Sequence, residues 1–168
     1  MAEKDTIIAS KIKQGGIFNF KDFYEFAYKW ITDEDYDLTE KKYSEKVAGD
    51  SKDLEINWTA EKKISDYFKI IIDMNWIILG MGKTKVKKEG KEVSMNAGTM
   101  EIRFKGSLVK DYENRWENKP VWKFLRGIYD RYIIRSRIED YENKCFEETT
   151  ELINQLKAFL EIEGKQQI

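Results

Sequence analysis

Residues 65–81 read SDYFKIIIDMNWIILGM, the most apolar stretch of the chain. Read as a helix, it would be a membrane span or a buried rod; read as a strand, it makes a sheet protein. Between positions 67 and 79 every even residue is apolar: Phe68, Ile70, Ile72, Met74, Trp76 and Ile78. The odd residues Tyr67, Lys69, Ile71, Asp73, Asn75, Ile77 and Leu79 are mixed. A strand sends successive side chains to opposite faces, so this alternation predicts one dry and one wetter face. A membrane helix needs roughly 20 residues with few or no charges, and Lys69 and Asp73 interrupt this stretch. The reading is a long strand and no membrane span.

Other stretches follow the same logic. Leu54, Ile56, Trp58 and Ala60 share a face, as do Met100, Ile102, Phe104 and Leu108 opposite Glu101, Arg103, Lys105 and Ser107. Sheets with one dry face are usually antiparallel. VKKEGKEVSM reads as a hairpin turning near Glu89-Gly90. Apolar parity slips between Ala97 and Met100, which predicts a turn or bulge across Asn96-Ala97-Gly98. YDLTEKKYSEKV and TIIASKIK add fainter strands. Asn19 can cap a helix from Phe20 to about Ile31, and TDEDYD ends it. Val121, Phe124, Leu125, Ile128 and Tyr132 follow Pro120 at helical spacing. A long helix over about Ile138–Leu160 carries the stripe Ile138, Tyr141, Cys145, Leu152, Leu156 and Phe159. A break is expected before it, near Arg135-Ser136, and Gly164 is expected to stop it. The fold class is α+β, with a curved antiparallel sheet of about six strands, one N-terminal helix and a long helical C-terminal segment packed on the sheet.

The 168 residues suit a single domain over 1–168 with one core. Charged residues reach 36%, yet 30 basic and 31 acidic side chains nearly cancel. Global charge therefore points to neither nucleic acid nor membrane as partner. Aromatics at 14% supply enough apolar area to argue against disorder. One cysteine, Cys145, and no apolar N-terminal leader suggest a cytoplasmic protein.

The order of strand, helix, several antiparallel strands and long C-terminal helix resembles the helix-grip superfamily, which includes START domains, birch-pollen allergens and polyketide cyclases. The resemblance rests on element order alone and has no residue-level motif. That superfamily places two short helices after its first strand, where this sequence offers one. The resemblance implies a pocket for an apolar small molecule or lipid between sheet and C-terminal helix. Its lining would come from Trp58, Ile70, Met74, Trp76, Ile102, Phe104 and Cys145.

The chain holds no histidine, which removes Ser-His-Asp and Cys-His nucleophile systems and any His-based metal site. No catalytic residue, cofactor or metal is assigned, and an enzyme is not the expected reading. GMGKT at 80–84 lacks the first glycine and the following helix of a phosphate-binding P-loop, so it reads as a strand-to-strand connection. Cys145 reads as a packed core residue. Charge is segregated: residues 115–137 hold seven positive and two negative charges, whereas 138–163 hold two and eight. Lys119, Lys123, Arg126, Arg131, Arg135 and Arg137, interleaved with Trp116, Trp122, Tyr129 and Tyr132, form a candidate anion or partner surface. The expected function is a module binding a hydrophobic small molecule or lipid. The alternative is an interaction or scaffold protein using the 115–137 surface or the C-terminal helix to hold a protein partner or a second copy of itself.

Overall fold

The computed structural model describes residues 3–65, 67–110, 121, 124, 125, 128 and 135–165. Strand β1 (Glu3–Phe18) leads to helix α1 (Phe20–Asp33), then to β2 (Asp37–Ala48), β3 (Ser51–Lys63), β4 (Phe68–Lys88) and β5 (Lys91–Lys110). Helix α2 (Arg135–Lys165) lies at the C-terminal end. The strands form one open antiparallel sheet in the order β1-β5-β4-β3-β2. It has five strands where about six were expected. The reason lies in β4 and β5, which run 21 and 20 residues without a break. The expected hairpin around Glu89-Gly90 is the far end of these same two strands, and both turn residues take positive φ, 53° and 79°.

The alternation of residues 67–79 sets the two faces of the sheet. Phe68, Ile70, Ile72, Met74, Trp76 and Ile78 are each 2% exposed or less, while Lys69, Asp73 and Asn75 are half-buried. In register, Ile56, Trp76, Ile102 and Ile12 cross four strands on the same inner face. The parity slip has a cause opposite its expected place. β5 stays in register with β1 through Ala97 and Gly98, and the irregularity falls on β4 between Leu79 and Gly82. Gly80 takes φ of 62° there. A Cβ on Gly98 would meet the carbonyl oxygens of Leu79 and Gly80 at 3.0 and 3.1 Å, so a side chain there would press on the backbone of the bulge.

Both helices cover the inner face. The Asn19 side chain accepts from the Asp22 N–H at 3.1 Å and caps α1, as expected. Phe23, Ala27 and Ile31 form its buried stripe. The Phe23 ring sits 5.4 Å from Trp76 and 5.9 Å from Phe159, so α1 touches both sheet and α2. Asp35, at φ of 67°, turns the chain out of α1. Helix α2 starts at Arg135, where a break was expected, with residues 129–134 outside the described ones, and it runs through Gly164. Its buried side is Cys145, Thr149, Leu152, Ile153, Leu156 and Leu160. It seats directly on the sheet: a Cβ on Gly106 would come within 2.5 Å of Thr149 Oγ1 and 2.9 Å of Ile8 Cγ2. Glu148 clamps the middle of α2, accepting from the Tyr36 hydroxyl and, at 2.9 Å, from Lys62 Nζ. No described helix is long and apolar enough to cross a membrane.

Two substitutions test this packing. Trp76→Ala is expected to lower stability by about 3–5 kcal/mol in urea unfolding, as for a fully packed aromatic. Gly98→Ala is expected to cost about 1–3 kcal/mol by overpacking against backbone. A loss under about 1 kcal/mol for Trp76→Ala would contradict a filled inner face.

Candidate functional site

The structure brings the seven expected pocket residues together on the inner face. Trp58, Ile70, Met74, Trp76, Ile102, Phe104 and Cys145 are each 2% exposed or less. A side chain facing a water-sized void would keep accessible surface, so these seven pack against neighbours. Trp58 lies 4.9 Å from Trp76 and 5.0 Å from Tyr24, ring to ring. Glu40 Oε1 accepts from Trp58 Nε1 at 3.1 Å and from the Tyr24 hydroxyl at 2.7 Å, which ties this aromatic group to β2. Burial pushes the Cys145 thiol up to about 11, with nearby Glu148 and Glu142 adding to the effect and the Thr149 hydroxyl opposing it.

The expected basic surface is only partly visible. Lys119, Lys123, Arg126 and Arg131 lie outside the described residues. Arg135 opens α2, and Arg137 is exposed without a carboxylate partner among the described residues. Val121, Phe124, Leu125 and Ile128 are helical and exposed, at 66%, 70%, 39% and 37%.

A hollow of about 860 Å³ opens on the outer face of the sheet, opposite the helices. Its shape follows from side-chain length. Two rows cross the sheet in register: Asn57, Asn75, Arg103 and Lys11, then Thr59, Asp73, Lys105 and Ala9. Short side chains (Ala9, Asn57, Thr59, Asp73 and Asn75) make the floor. Lys11, Lys41, Arg103 and Lys105 make the rim. Adjacent strands are roughly 4.8 Å apart, so the span from Arg103 on β5 to Lys41 on β2 is on the order of 14 Å.

Lys41 reaches this face through a bulge. Glu40 pairs with Trp58 and Lys42 with Asn57, leaving Lys41 as the extra residue between them. Such a residue re-aims its side chain and bends the strand.

The electrostatics are lopsided. Asp73 is fully engaged: Oδ1 accepts from the Thr59 hydroxyl at 3.0 Å and Oδ2 from Lys4 Nζ at 3.2 Å. Lys105 stands directly across from Asp73 but makes no ion pair with it. Arg103 and Lys11 share a single carboxylate, Glu101, each at 3.7 Å. Lys41 and Lys105 have no carboxylate partner among the described residues. Between the cations, Asn75 Nδ2 donates to Asn57 Oδ1, leaving an amide donor and an amide oxygen free for a ligand. The arrangement can hold an anionic group at the Arg103–Lys105 end and a neutral polar body over the amide pair.

Sequence reading placed Asp73, Arg103 and Lys105 on the wetter face but did not assemble them into a site. Trp58, Met74 and Phe104 border the hollow, although their side chains belong to the inner face. No group of metal-binding residues occurs among the described residues.

The buried hydroxyls and thiol imply a pH response. Burial and Glu148 hold Tyr36 well above the ordinary tyrosine range, and burial holds Cys145 at about 11. Both stay protonated in the fold at a pH where the unfolded chain ionises. Their contribution is therefore full below the unfolded values and is lost as pH rises towards the folded ones. The urea midpoint is expected to fall between pH 9 and 11, less steeply in Cys145→Ala, and native Cys145 is expected to react slowly with thiol reagents. Rapid labelling at neutral pH would contradict the burial of Cys145.

Comparison with protein-family models, with curated proteins and with solved structures finds no match to this chain.

Proposed function

We propose that this chain is a non-catalytic binding module whose outer sheet face holds a small anionic molecule. The observation that carries the reading is the 860 Å³ hollow, whose rim cations outnumber the carboxylates available to them. Its volume lies in the range of small-molecule sites. Arg103 offers a planar fork suited to a phosphate or carboxylate, with Lys105 two residues along the same strand and Lys11 across from it on β1. The amide pair would hydrogen-bond an uncharged polar body, and Lys41 would meet its far end. This places the ligand on the face opposite the one implied by the helix-grip resemblance. The seven inner residues, nearly devoid of exposed surface, support a structural role instead.

Thermal shift and titration calorimetry with inorganic phosphate, ribose 5-phosphate and ADP test the site. At least one probe is expected to raise the melting temperature saturably, by the linkage worth about 2.7 kcal/mol at a hundredfold excess over Kd. Arg103→Glu with Lys105→Glu should abolish the shift without unfolding the protein, because both side chains are exposed. An equal shift in the double variant, or none with any probe, would remove the hollow from the functional account.

A second reading is favoured by the exposure of Val121, Phe124, Leu125 and Ile128. Apolar side chains at helical spacing that face solvent suit a partner, a second copy or a lipid surface. Phe124→Ser with Val121→Ser is expected to weaken self-association in sedimentation velocity, or co-sedimentation with anionic vesicles. No change in either would leave only the outer hollow.

A further inference from the structure

The β4–β5 hairpin outruns the rest of the sheet. β3 last pairs with β4 at Met81, and β1 last pairs with β5 at Asn96. β4 and β5 continue together from Gly82 and Ala97 to Lys88 and Lys91. Beyond the sheet body they form a two-stranded ribbon closed by Glu89-Gly90.

One face of this ribbon carries a line of positive charge. Lys83, Lys85 and Lys87 alternate along β4, so they point the same way at roughly 7 Å intervals. All three are exposed, and none has an ion-pair partner among the described residues. Their cross-strand neighbours are Asn96, Ser94 and Glu92, so one carboxylate faces three ammonium groups. The opposite face carries the uncharged Thr84, Val86, Val93 and Met95 and ends in the Lys88–Lys91 pair at the tip.

The line leads into a cleft. The Asn96 side chain accepts from the Phe20 N–H at 3.0 Å, which puts the N-terminus of α1 on the same side as Lys83. A cavity of about 820 Å³ lies at this root, lined by Phe20, Lys21, Asp50, Lys52, Met81 and Lys83 among others. It combines a half-buried aromatic ring, the Met81 thioether, one carboxylate and three lysines, of which Lys52 is already paired with Glu45 at 2.7 Å. The positive end of the 14-residue α1 dipole faces it.

We propose that this ribbon and cleft bind single-stranded nucleic acid. Lys83, Lys85 and Lys87 meet successive phosphates of one strand, whose spacing they match, and the cleft receives an unstacked base against Phe20 and Met81. A charged groove beside an aromatic surface is the usual arrangement for single strands. A duplex keeps its bases stacked and has nothing to place in the cleft. An extended acidic peptide could match the lysine spacing but lacks a planar group to fill the cavity. The near-zero total charge does not oppose this, because screening confines each charge to about 8 Å at physiological salt.

Fluorescence anisotropy with labelled oligothymidylate and oligouridylate, across a salt series, tests the proposal. Saturable binding is expected at low salt. Lys83→Gln, Lys85→Gln and Lys87→Gln together should weaken it about tenfold or more and reduce the salt slope by about 2, at roughly 0.7 for each phosphate no longer neutralised. The single Lys85→Gln change should give about a third of that slope change. The lysines are exposed, so an unchanged melting temperature should accompany both variants. Equal affinity for a duplex of the same length, effective competition by polyglutamate, unchanged binding in the triple variant, or no binding at low salt would each overturn it.

Discussion

The dry face of β4 has to be covered, and the rest of the molecule is arranged to do so. Six apolar side chains in strict alternation cannot face water without a cost of about 1.5–3 kcal/mol each. β3 and β5 extend the apolar surface on either side, in register with it. Neither helix could cover it alone. Helix α1 brings Phe23 onto Trp76, and α2 lies against β1 and β5, close enough that Gly106 has no space for a side chain. Polar ties then fix the angle of each helix: Glu40 joins Tyr24 to Trp58, and Glu148 joins α2 to Tyr36 and Lys62.

Since both helices lie on one side, much of the outer face is left to solvent. The separation is not complete. Tyr67, Ile71, Ser107 and Val109 are buried on the outer face near the start of β4. The remainder, from Thr59 and Asp73 towards Lys11, carries polar and charged side chains whose identity matters little to the core. Sheet stability and surface chemistry thus reside in alternate residues of the same strands. A change at Asn75 or Arg103 can alter what the face binds while Trp76 and Ile102, one position away, hold the fold.

How much of this could be read from sequence depended on what each residue touches. β4 was legible because burial on one side forces period two into the sequence. β2 was faint because it is an edge strand whose residues are almost all exposed, so no apolar alternation marks it. The bulge was sensed at Asn96-Ala97-Gly98 but sits across the ladder at Gly80-Met81-Gly82, because a slip in one strand is recorded by the residues that must accommodate it. The outer hollow was not legible at all as a site. Asn57, Asn75, Arg103 and Lys11 become neighbours only through the register of four strands, and Lys41 joins them only through a bulge.

The pairing of β1 with β5 has a consequence for how the chain acquires its structure. Ile12 sits beside Ile102, and Glu3 beside Lys110. β2 to β5 form a meander in which each strand pairs with its successor, so contacts there close over short loops. β1 is made first and must wait for nearly the whole sheet before its partner exists. Contacts of such sequence separation carry a large loop-closure entropy and slow the final step. During synthesis at about 5–20 residues per second, β1 spends several seconds as an unpaired strand. Its lysines at 4, 11 and 13 and its glycine pair at 15 and 16 make that waiting strand a poor template for a neighbouring copy.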